Sequence, residues 1–218
     1  MALTLDDGPT AETTPALLDL FHTFGATATF FLSGERAERR RDLVARIVAD
    51  GHDVYGHGWE HIPLEWQSAA RLVADIDRAE RLLAAFRPTP TPYLVRLPYN
   101  SGFYRPWVHR AIRSWRPDAQ IAHWSLSMED VLISGECGGS TTLDDVVAGR
   151  VRSTVADGSL PGAVVLLHEQ PVGVPELRPA VAPVLVERLL RALATAGLTT
   201  GRLVPIDRPN ALRRSVLI

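Results

Sequence analysis

Strand-like and helix-like segments alternate about seven times along this chain, and that alternation constrains the fold more than any other feature. Ala2 to Leu5 is a short apolar run ended by Asp6-Asp7-Gly8-Pro9, a strand entering a turn. Thr13 or Thr14 with Pro15 opens a helix through about Phe24, closed by Gly25. Residues 26 to 32, ATATFFL, are β-branched and aromatic, as a buried strand requires. Glu35 to Asp50 reads as a helix whose Arg39-Arg40-Arg41 run is a solvated face, and HDVY (52 to 55) reads as a strand. Leu72, Ile76, Leu82 and Leu83 fall on one side of a long amphipathic helix over Leu64 to Phe86. A stiff turn, Arg87 to Pro92, leads to a strand over Tyr93 to Arg96, a helix over Arg105 to Arg113 and a strand over Gln120 to Leu126. Glu129 to Thr142, with three glycines, reads as a long loop. Helices over Leu143 to Ala156 and Val181 to Ala196 flank a strand at Ala163 to Leu167, and Leu203 to Ile206 makes the last strand.

Such alternation implies an α/β protein, a mostly parallel sheet with helices outside. No internal repeat or break in composition divides the 218 residues, so one domain over 1–218 is expected. In parallel architectures the carboxyl ends of the strands share one face, and sites form there. Asp6-Asp7, His57 to His61, Arg96 to Tyr99, Asp130 and His168 each stand just after a strand. A closed or nearly closed barrel would gather all five around one mouth.

The densest of these segments is His57-Gly58-Trp59-Glu60-His61. Two imidazoles separated by three residues can offer neutral ring nitrogens to one cation, but a catalytic zinc usually takes three protein ligands. H-x-x-E-H is also a metallopeptidase signature in which the glutamate, here Glu60, is the base on a helix. Gly51, Gly56, Gly58 and Pro63 speak against a helix, since a glycine costs about 1 kcal/mol and a proline about 3 within one. The pair is therefore expected on a loop after a strand.

Composition excludes little but is consistent. A net charge of −2 gives no global field for nucleic acid or a membrane surface. No window reaches the ~18 apolar residues of a membrane span, and nothing implies a protein partner. The single cysteine, Cys137, excludes an internal disulfide and has no partner for thiol chemistry. No export signal is visible, so the expected compartment is cytoplasmic for the chain as it stands, or the cell exterior if an upstream segment precedes it.

Together, TLDDGP (4–9), HGWEH (57–61), RLPY (96–99), WSLSMED (124–130) and LLH (166–168) resemble, in order, the five motifs of NodB-type polysaccharide deacetylases, carbohydrate esterase family 4. The resemblance covers nearly the whole chain. It implies a distorted, incomplete (β/α) barrel of about seven parallel strands, holding one divalent metal, usually zinc, and hydrolysing acetyl groups on carbohydrates. It assigns Asp7, His57 and His61 as metal ligands and Asp6 as the base that takes a proton from water. Arg96 would hold Asp6, the backbone N–H of Tyr99 would meet the oxyanion, and His168, oriented by Asp130, would protonate the leaving amine. Leu166 would line the acetyl-methyl pocket beside Pro98, with Trp59 at the rim and Trp124 in the core.

Two positions depart from the family pattern. Gly58 stands where Ser or Thr is common, and Val131 where a tryptophan usually walls the acyl pocket. Several readings therefore stay open beside an N-acetyl sugar substrate: an O-acetyl group on xylan, a small amide or cyclic imide, or a binding protein that kept the fold without turnover.

Overall fold

The computed structural model describes residues 1–89, 93–170, 174–205 and 216–217. In chain order its elements are β1 (Ala2–Asp6), α1 (Thr14–Phe24), β2 (Ala28–Leu32), α2 (Gly34–Arg39), α3 (Arg41–Ala49) and β3 (Asp53–Gly56). Next come α4 (Ala69–Ala84), β4 (Leu94–Val95), α5 (Pro106–Trp115), β5 (Gln120–Ala122) and β6 (Leu126–Ser127). The chain continues with α6 (Asp130–Glu136), α7 (Leu143–Ala156), β7 (Val164–His168), α8 (Arg178–Thr195) and β8 (Val216–Leu217). The strands form one sheet in the order β6-β7-β1-β2-β3-β4-β5-β8, parallel throughout. Among the described residues no helix is long and apolar enough to cross a membrane.

Both faces of this sheet are covered, so alternate strand residues enter two different apolar environments. Leu3, Leu5, Phe30, Leu32, Val54, Val165 and Leu167 face the helices and pack with Leu17, Phe21, Ile47, Leu185 and Leu189. Ala2, Phe31, Tyr55, Leu94, Ala122 and Val164 form a separate cluster inside the curl of the sheet. Asp6, His57, Arg96 and His168 continue the parity of that inner set. One alternation thus fills the curl with apolar groups at one end and delivers polar ones at the other.

The curl is visible in the segment expected as a single strand over Gln120 to Leu126. It divides: β5 pairs with β4 and β8, whereas β6 pairs with β7 on the opposite flank. Ala122 and Leu126 are four residues apart, a reach of at most about 14 Å. The two flanks must approach within that span, which makes the sheet an incomplete barrel, as the resemblance implied. Ser125 fastens the seam: its N–H donates to Val164 O and its Oγ accepts from Val164 N–H, each at 3.0 Å.

Other boundaries moved for local reasons. The expected helix 35–50 breaks at Arg40, whose φ of −130° and ψ of 49° are not helical. The helix expected from Leu64 begins as a 3-10 turn, Leu64–Trp66, and α4 starts only where Ser68 Oγ accepts from Arg71 N–H. The expected loop 129–142 contains α6, which buries Asp130, Ile133 and Ser134; its glycines fall at and beyond the end of this short helix. Leu203 to Pro205 is not a strand, in keeping with a proline that has no N–H for a ladder, and Ile206 lies outside the described residues. The far edge is β8 instead. Pro90 to Pro92 of the expected turn also lie outside the described residues.

Candidate metal centre and active site

Sheet register sets the site. Asp6 and His168 are direct partners across β1 and β7, and therefore lie side by side on the inner face. His57 N–H donates to Leu32 O at 2.9 Å and Arg96 N–H to Gly56 O at 3.1 Å, carrying the ladder one step past β3 and β4. β1 ends at Asp6, and Asp7 adopts φ 73°, so the two neighbouring carboxylates escape the opposed directions of a strand. Arg36 Nη1 donates to Asp7 O and holds this turn. Gly8 follows because a Cβ there would overlap the carboxylate of Glu169.

Asp7 Oδ1 lies 2.8 Å from His61 Nε2 and 3.4 Å from His57 Nε2. His57 Nδ1 sits 3.0 Å from Arg96 O, an atom that only accepts, so the ring proton is on Nδ1 and the Nε2 lone pair faces Asp7. Asp7 Oδ1 is buried without a hydrogen-bond donor. Burial raises the Asp7 carboxyl; once the imidazoles beside it also carry a proton on Nε2, their hydrogen bonds and charge outweigh burial and hold it below the usual carboxylate range. Asp7, His57 and His61 each offer one ligand atom, all within 4.8 Å of one another, a set that could hold a divalent cation. Among the described residues no other trio meets that description.

On one side stands Asp6, 3% exposed, with Arg96 Nη1 donating to its Oδ1 at 2.8 Å. Arg96 is the bulkiest fully buried side chain among the described residues; it also donates to Thr4 Oγ1 at 2.6 Å and to Ala122 O at 3.2 Å, and its guanidinium lies over Phe31. On the other side is His168, whose backbone N–H donates to Asp130 Oδ2 at 2.6 Å and whose Nδ1–H donates to Oδ1 at 2.9 Å. One buried carboxylate thus fixes both the strand end and the ring. Burial alone would lower His168, but the bond and charge of Asp130, helped by Asp6 and Asp7, push it up to about 9.

These groups open on a cavity of about 500 Å³ whose wall includes Leu166, Tyr99 and Val131. Tyr99 has φ 56°; the surrounding turn uses Asn100 and Ser101 N–H as donors to Leu97 and Pro98 O, leaving Tyr99 N–H outside that ladder. Asp7, His61, Tyr99, Asn100 and Glu129, all in loops at this end of the sheet, make up the non-glycine residues with positive φ among those described. Clustering of that strain is typical of functional sites.

Three expectations need correction. Trp59 is 5% exposed, packed on Gly34 and covered by Arg78 at 3.7 Å, so the close approach of α2 and α4 takes it into the core and off the rim. Pro98 is buried against Gly58 and does not reach the cavity wall; its neighbours Leu97 and Tyr99 do. Trp124, expected in the core, is half-buried and lines the cavity from the seam. Glu60 is exposed on a bend and does not line the cavity, which removes the peptidase arrangement. The sequence reading missed Arg36, Ser127, Gln170 and Arg178 on the wall. Arg36 had a signal: it follows the end of β2, the one central strand terminus to which no chemistry had been given.

A family model described as polysaccharide deacetylase matches residues 1–114. The chain is also 30% identical over 168 residues to a chitooligosaccharide deacetylase of Bradyrhizobium sp. (strain ANU 289), covering 77% of this chain and 69% of that one. The chain belongs to the polysaccharide deacetylase family. A second relative in that family, the peptidoglycan-N-acetylglucosamine deacetylase PgdA of Listeria monocytogenes, is 31% identical over 170 residues, 78% of this chain, which spans only 32% of its length. In fold, the chain is similar to a family 4 carbohydrate esterase from Streptomyces lividans (TM-score 0.74, 24% identity, covering 94% and 93% of the two chains). It is equally similar to a polysaccharide deacetylase from Bacillus cereus (TM-score 0.75, 22% identity, 98% of both chains).

Proposed function

We propose that residues 1–218 form one metal-dependent deacetylase domain that removes acetyl groups from N-acetylated carbohydrate, of the chitooligosaccharide or peptidoglycan type. The observation that carries this reading is Asp7 Oδ1 facing the Nε2 atoms of two imidazoles, with a paired carboxylate, Asp6, on one side and a carboxylate-held imidazole, His168, on the other. The relatives supply the substrate class, through the activities in their names. Asp7, His57 and His61 would hold the cation, and two nitrogens with one oxygen suit zinc. When bound, such an ion would lower the pKa of water towards about 7 and would polarise an acyl oxygen.

The remaining steps belong to the chain. Asp6 Oδ2 takes the proton of the attacking water, while Arg96 on Oδ1 keeps the carboxylate aimed. Tyr99 N–H meets the oxyanion as it forms; one such donor is worth roughly 10²–10³ in rate. His168 Nε2–H gives its proton to the departing nitrogen, with Asp130 holding the ring and stabilising its charged form. Leu166 faces the acetyl methyl, and Val131 beside the cavity leaves room where the family's usual indole would stand. The test is acetate release from N-acetylated chitooligosaccharides and peptidoglycan fragments by zinc-loaded protein, beside acetylated xylan and a cyclic imide. Acetate from the N-acetyl substrates, lost on chelation, supports the reading; ring opening of the imide without acetate release contradicts it.

A further inference from the structure

Residues paired across a parallel sheet stand side by side on one face, and two positions before Asp6 and His168 that row reads Thr4, Leu166, Ser127. Thr4 is wholly buried and uses its hydroxyl twice, donating to Val165 O and accepting from Arg96. Leu166 and Ser127 instead line the catalytic cavity. The leucine that faces the acyl methyl in the reading above therefore has a hydroxyl beside it. Ser127 Oγ accepts from Glu129 N–H at 3.1 Å, and its own proton meets no acceptor among the described residues. We propose that the acyl end of this cavity is shaped for a 2-hydroxyacyl amide, so that the chain removes glycolyl from a sugar nitrogen in preference to acetyl. The inference rests on the deacetylase reading and deepens it, by naming the acyl group that the site selects.

Space and chemistry point the same way. Val131 follows Asp130, whose carboxylate holds His168, and so borders the same end of the cavity with a short side chain. That leaves room for one heavy atom beyond those of acetyl. Glycolyl carries this atom as a hydroxyl, propionyl as a methyl. Against Leu166 and Val131 alone the methyl would fit better, because a hydroxyl buried without a partner forfeits its bonds to water. Ser127 reverses that order, since its O–H can donate to the glycolyl hydroxyl oxygen. The serine is also held in place: its backbone donor, Glu129, has φ 49° and turns the chain from β6 into α6. In the reaction the water oxygen joins the acyl carbon, its proton goes to Asp6 and the carbon–nitrogen bond breaks. His168 protonates the departing nitrogen, so the products are glycolate and the free amine.

The experiment offers zinc-loaded protein one glucosamine oligomer acylated on nitrogen with acetyl, glycolyl or propionyl, and reads kcat/KM from the amine that all three release. In wild type, glycolyl should exceed acetyl about 5-fold and propionyl about 10-fold. Ser127→Ala should bring glycolyl down to the level of propionyl, and Val131→Trp should lower both about 10-fold relative to acetyl. Ratios within one variant cancel any loss of folded protein. Wild type that cleaves glycolyl no better than acetyl overturns the acyl assignment and leaves the deacetylase reading standing. A glycolyl-to-propionyl ratio unmoved by Ser127→Ala does the same, as do equal effects of Val131→Trp on all three substrates. Release of amine from none of them sinks both.

Discussion

At the residue scale, buried charges decide most of what can be measured. Asp130→Asn removes the carboxylate that holds His168 protonated, so the imidazole pKa falls. Because the acid must carry its proton, the alkaline limb of the kcat/KM profile should move to lower pH by roughly 1–2 units, alongside a fall in the plateau. Arg96 and Asp6 are 1% and 3% exposed, and removing one member of such a pair strands the other. Arg96→Ala should therefore lower the unfolding free energy by about 3–5 kcal/mol in urea titrations. Glu169 has no catalytic role above, yet it is wholly buried, accepts from Thr14 Oγ1, and is pushed up to about 7 by burial against that bond. A carboxyl raised in the folded state keeps a proton that the unfolded chain releases near 4.5, so its contribution is complete below pH 4.5 and is lost as pH rises to 7. Glu169→Gln should abolish that loss: in metal-free protein the variant gains roughly 1–3 kcal/mol on wild type between pH 4.5 and 7.5.

Among the elements, the loops carry more information than the strands. Gly58 has φ 70°, with Asp75 Oδ2 and Pro98 Cγ each 3.1 Å from where a Cβ would lie. Asp75 Oδ2 also accepts from Trp59 N–H at 2.8 Å, so the turn between the two histidines is fixed from below. Gly58→Ser, which installs the residue commoner in the family, should strain this turn by about 1–2 kcal/mol and weaken zinc binding roughly 10-fold, as read by competition with a chelating dye. The strand termini at Asp6, His57, Arg96 and His168 were legible in the sequence because polar residues follow apolar runs there. The seam was not. IAHWSL looks like one strand locally, and only the closing of the curl, a long-range constraint, divides it and turns Trp124 towards the cavity. Trp59 misled for a similar reason: its place between two ligands suggested exposure, but Gly34 on α2 leaves a slot that the indole fills.

Across the whole molecule, one parallel register explains how groups 162 residues apart in sequence, Asp6 and His168, come to face each other. Family membership was readable from five short motifs because their order mirrors the strands that deliver them. The joining of the loop after His61 to the loop after Arg96 was not readable, since the Glu65–Ser101 and Glu65–Arg105 contacts that make it bridge residues 36 and 40 positions apart. The proposed chemistry rests on a cation held jointly by the turn after β1 and the loop after β3. Calorimetric titration of chelator-stripped protein with zinc tests it most directly. One zinc per chain in wild type, with binding lost in Asp7→Ala and in His61→Ala but retained in Glu60→Gln, is the predicted result. Undiminished binding in the Asp7 and His61 variants, or none in wild type, would contradict it.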